Sequence, residues 1–133
     1  MKVRVDVEIY NCTVVIVTTY DEFKKLHKTA NKDNLFCTSE YGQYIYVLVS
    51  DEWDDFYNTF FIQCMSHELN HAAMCLLSRA GVNFDYENQE ALCYLQDFLI
   101  AAFFKAAKKR NTTQKMLKTS NVTNNIITNG KLS

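Results

Sequence analysis

Hydrophobic and polar residues alternate along residues 2–10, with Val3, Val5, Val7 and Ile9 on one side and Lys2, Arg4, Asp6 and Glu8 on the other. A period of two predicts a strand with one buried face. Asn11 turns the chain, and residues 12–19, rich in β-branched side chains, predict a hairpin partner. Asp21 reads as the cap of a short helix ending near His27, and the polar residues 29–40 read as a loop. After Gly42 the run Tyr44-Ile45-Tyr46-Val47-Leu48-Val49 predicts a third strand. Ser50-Asp51-Glu52 then supplies a break, an N-cap and an acidic first turn.

The period lengthens from there. Between residues 54 and 79, Phe61, Met65, Leu69, Ala72 and Leu76 recur at three- and four-residue steps, with Gly81 as the stop. A second long helix is predicted over 87–109, with Ala91, Leu95, Phe98 and Ala102 on one stripe. In 111–129 ten of nineteen residues are Asn or Thr, a composition that buries little and predicts disorder or weak local structure. The expected organisation is an α+β domain over 1–110, a small antiparallel or mixed sheet packed on two long helices, followed by a polar basic tail over 111–133.

Composition narrows the class. At 133 residues, 48% apolar and 14% aromatic, the chain can build one core and is neither disordered throughout nor collagen-like. His67, Glu68, Asn70 and His71 interrupt the longest apolar segment, which argues against a membrane span. The alternating N-terminus is no secretion signal, and five cysteines without a C-x-x-C pair suit reduced thiols. A soluble, cytoplasmic protein is expected.

The net charge of −1 conceals a split: residues 1–99 carry seven Lys/Arg against all fifteen Asp/Glu, and residues 100–133 carry seven basic residues and no acid. The basic run from Lys105 to Lys118 lacks interleaved aromatics beyond Phe104, so a solvated tail is preferred to a nucleic-acid contact.

One motif carries chemistry: His67-Glu68-Leu69-Asn70-His71, inside the first long helix. A four-residue step returns both imidazoles to one face, where they can share one zinc ion at ~2.0–2.1 Å each. Glu68 can address a metal-activated water as general base. With three His and seven Glu, H-E-x-x-H would arise by chance only about 0.003 times in this chain.

A catalytic zinc requires a third protein ligand. Met74 and Leu77 stand where the longer H-E-x-x-H-x-x-G-x-x-H pattern needs Gly and His. Glu87, Glu90, Tyr94 and Asp97 share one face of the second long helix. Glu90 is the preferred ligand, because Cys93 one turn on is small enough for the helices to approach; Glu87 is the alternative. Asp97 is a candidate to orient an imidazole, Tyr94 to donate to an oxyanion, and Cys64 to act as a ligand. The strand Tyr44–Val49 is either a central strand or an edge along which a peptide lies extended.

The motif HELNH followed nineteen residues later by Glu90, in the run Glu87-Asn88-Gln89-Glu90-Ala91-Leu92-Cys93, resembles the gluzincin type of zinc metallopeptidase. It is similar, more closely, to small metallopeptidases inferred in bacteriophage genomes. The resemblance covers roughly residues 44–100 and implies a zincin-like minimal domain, with His67, His71 and Glu90 as zinc ligands and Glu68 as general base. The implied partner is a protein or peptide substrate, a narrow one, since no second domain closes a cleft. The alternative is a zinc-stabilised accessory or inhibitory module without catalysis.

Overall fold

A computed structural model describes residues 1–28, 36–50 and 58–129, with backbone alone at 36–37 and 119–129. The described chain is α+β: four strands form one sheet, and three helices cover its faces.

Strand β1 (Lys2–Val7) pairs antiparallel with β2 (Cys12–Val17), Lys2 opposite Val17 and Val7 opposite Cys12. The expected alternation holds as far as Val7 and then ends. Glu8–Tyr10 forms a 3₁₀ turn, and Asn11 closes the connection at φ +45°, a left-handed conformation that Asn tolerates well. Ile9 therefore leaves the buried face and is 82% exposed.

Strand β3 (Phe36–Tyr41) lies within the segment read as a loop. It pairs antiparallel with β4 (Tyr44–Val49) across Gly42 and Gln43, and Gly42 takes the positive φ (+58°) that so short a hairpin connection needs. Ser39 and Glu40 have little strand preference of their own; pairing with the apolar β4 supplies it. The sheet order is β1-β2-β4-β3, with β2 and β4 parallel and the other pairs antiparallel. β4 is thus an interior strand, and β1 and β3 are the edges of the described sheet.

Both faces of β2 and β4 are covered, which explains why neither strand alternates. On one face Val3, Val5, Val14, Ile16, Ile45 and Val47 pack with the long helices. On the other, Val15, Val17, Tyr46 and Leu48 pack with Phe23 of α1 (Tyr20–Leu26). Thr19, not Asp21, caps α1, its hydroxyl accepting from the Glu22 amide at 3.3 Å.

Helix α2 (Thr59–Arg79) starts at Asn58, whose Oδ1 accepts from the Phe60 amide at 2.9 Å; the cap expected at 50–52 and first turn from 54 fall largely on 51–57, outside the described residues. Its end is a Schellman motif: Gly81 at φ +71° donates to Ser78 O, and Val82 donates to Leu77 O, both at 3.0 Å. Helix α3 (Gln89–Asn129) returns antiparallel, as the Phe61–Phe103 and Ser66–Gln96 contacts require. It buries Leu99, Phe103 and Ala107, so its core stripe is rotated from the expected one, and Phe98 is left 49% exposed. The helix crosses residue 110 without a break; the side chains of 111–118 are all exposed.

Candidate metal centre

The core of α2 dictates where the motif points. Met65, Leu69, Ala72 and Leu76 face the sheet and α3, which turns His67 and His71 outward at the helix surface. Their Nε2 atoms converge to 3.1 Å, with the rings edge to face at 4.7 Å between centroids. Two nitrogens each ~2.0–2.1 Å from one tetrahedral zinc would stand about 3.3 Å apart. The pair therefore fits two vertices of such a site; between neutral rings of suitable tautomer it makes one N–H···N hydrogen bond.

Glu68 sits about 100° round the helix from His67, on the side facing β3. The Thr38 hydroxyl is 2.7 Å from Glu68 Oε2 and 3.0 Å from the Glu68 carbonyl oxygen. The edge strand thus fixes the carboxylate on the β3 side of α2. The sequence held no sign of Thr38, because nothing there marked residues 36–41 as a strand.

The pair borders an open groove of about 500 Å³ lined by Ile62, Gln63, Ser66, Asn70 and Gln96. Gln96 is what α3 presents there. Its Nε2 donates to Ser66 O at 2.9 Å and lies 3.2 Å from Ser66 Oγ, and its Oε1 accepts from Asn70 Nδ2 at 3.2 Å. A stripe running Leu92, Gln96, Leu99 and Phe103 would have revealed it in the sequence; the stripe through Leu95 and Phe98 hid it.

Glu90 is not brought to the pair. It lies nine residues from buried Leu99, half a turn round the helix, and Glu87, Glu90, Cys93, Tyr94 and Asp97 are all exposed. Tyr94 is 70% exposed, so the structure does not set its hydroxyl over the site. Cys64 is not grouped with the histidines either: among the described residues no three His, Cys, Asp or Glu side chains form a metal-binding group. The donors among the described residues fit zinc at two positions and offer no third.

A second polar cluster closes the other end of α2. Arg79 Nε donates to Glu40 Oε2 at 3.0 Å, Nη2 to Tyr44 O at 3.3 Å and Nη1 to Cys12 Sγ at 3.5 Å, tying the helix to three strands. The Cys75 thiol and Arg79 hold the Glu40 carboxyl below its usual range, and burial with Glu40 nearby pushes Cys75 up to about 12. The cluster is a brace.

No helix among the described residues is long and apolar enough to cross a membrane. The chain matches no protein-family model, no curated protein and no solved structure.

Proposed function

We propose that the chain is a zinc-dependent hydrolase acting on a peptide bond of a narrow protein substrate, with His67 and His71 holding the metal. The observation that supports this reading is the convergence of two Nε2 atoms at 3.1 Å, on a helix where Glu68, next to His67, has its carboxylate anchored by a sheet-edge hydroxyl. Zinc, when bound, supplies Lewis acidity. Glu68 accepts the proton from the attacking water; Thr38 holds its carboxylate on the β3 side of α2, across the histidine pair from the groove.

The outward face of Glu90 favours a second reading, a zinc-stabilised accessory or inhibitory module of phage type, in which an exposed two-histidine site needs no base. One experiment separates them. Zinc content and hydrolysis, or the protein's biological effect, are measured together for wild type, His67→Ala, Glu68→Gln and Glu90→Ala. The peptidase reading expects about one zinc per chain, lost in His67→Ala. Glu68→Gln should keep the zinc while hydrolysis falls ~10²–10⁴-fold. An unchanged effect in Glu68→Gln at full zinc occupancy overturns the peptidase reading, and absence of metal uptake overturns both. Loss of zinc in Glu90→Ala would require α3 to turn from the orientation seen here.

A further inference from the structure

The acidic face that α3 turns away from the histidines has a complement on the same helix. From Asp85 to Asp97 the chain carries four acids and no base, and from Lys105 to Lys118 six bases and no acid. Tyr94, Asp97, Phe98, Ala101, Lys105 and Lys108 are all exposed, and all lie within about 60° of Ala101 round the helix. Among the described residues, six of the nine exposed large hydrophobic side chains fall on α3 or the loop just before it. Tyr94 and Phe98 share this face with Asp97, Lys105 and Lys108, and exposed rings set among charges of both signs suit an interaction surface.

We propose that the occupant is a second copy of this chain, α3 packing antiparallel on α3 across a two-fold axis at Ala101. The charge order selects this partner. About that axis, four residues in either direction place Asp97 against Lys105 of the copy, and the turn just before α3, which carries Glu87, lies toward Lys115. Seven residues place Tyr94 against Lys108, a cation–π pair, and the same turn brings Tyr86, 85% exposed, toward the end of the copy's helix that carries Met116, 66% exposed. Ala101, the smallest side chain on the strip, meets itself at the crossing. A parallel pairing would set acid on acid and base on base.

The arrangement gives the distal part of α3 a role. The side chains of residues 111–118 are all exposed, and a helix that buries so little is marginal in water. Packed on a copy, they lie over its Asp85–Glu90 region.

The test is sedimentation velocity of the full chain in EDTA, which removes any metal bridge through the histidines and keeps the result independent of the zinc reading. A dimer is expected, weakened by high salt because its charged pairs lie at the rim. Lys105→Glu alone and Asp97→Lys alone should each raise the dimer Kd about tenfold, since each turns two attractive pairs repulsive. The double variant Asp97→Lys/Lys105→Glu should restore it. In Ala101→Cys, oxidation should link two chains covalently, while wild type should not link through Cys93, held about 24 Å from its copy by sixteen residues of helix. All three substituted positions are exposed, and circular dichroism should show that the variants fold. A monomer at every concentration overturns the proposal, as does a dimer that the double variant fails to restore, or a monomer that binds a DNA polyanion through its basic half.

Discussion

Cys75 and Cys93 are both thiols near the α2–α3 pair, yet their surroundings set opposite reactivities. Cys93 is exposed on α3, whereas Cys75 is partly buried with its thiol pushed up to about 12, first by loss of water and then by the Glu40 carboxylate. Because the thiolate is the reactive form, Cys75 should react with a thiol reagent at neutral pH far more slowly than Cys93. Mass spectrometry after timed alkylation reads both sites; equal rates would mean that the Arg79–Glu40 brace is open. Single residues were legible in the sequence where local spacing alone decides their placement. His67 and His71 needed only a helix to converge, and they do. Thr38 and Gln96 reach the same region from β3 and α3, through pairing and helix phase that no local pattern carries. Glu90 shows the cost of that gap: its spacing from the motif was suggestive, but the rotation of α3 decides where it points.

At the scale of elements, strands were read well where their own residues carry a pattern, alternating in β1 and continuously apolar in β2 and β4, and poorly where pairing supplies the order. β1 alternates because its outer face meets solvent; β3 looked like a loop because Thr, Ser and Glu form its middle. Helix α3 runs twenty residues past its expected end at 109, and its phase differs from the expected one by about one residue. Leu95 lies near the boundary of the buried stripe, so both Phe98 and Leu99 continue an apolar pattern from it. The error can be measured. Leu99→Ala removes a fully buried side chain and should destabilise the fold by ~2–5 kcal/mol. Phe98→Ala, on the half-exposed side, should cost under about 1 kcal/mol when the chain is dilute enough to be monomeric. Urea denaturation of both variants at low concentration decides the phase, and the reverse order of costs would rotate α3 by one residue.

For the whole molecule, the question is what residues beyond 110 do for a body that does not need them. The core runs from Val3 to Ala107, and the side chains of 111–118 are all exposed, so ending the chain at Arg110 removes no buried side chain among the described residues. The dilute, monomeric protein should therefore melt at nearly the same temperature with or without residues 111–133. The concentrated protein should behave differently. A dimer that binds only the folded chain raises the melting temperature by mass action, so the full chain should melt higher as its concentration rises. The truncated chain keeps Asp97–Lys105 and Tyr94–Lys108 but loses the outer contacts of Glu87 with Lys115 and Tyr86 with Met116. Its melting temperature should thus rise less steeply with concentration, the two curves meeting at high dilution. Curves separated by a constant gap at every concentration would mean instead that the end of α3 packs on its own body. The order of charges along α3 would then serve the fold and not a partner.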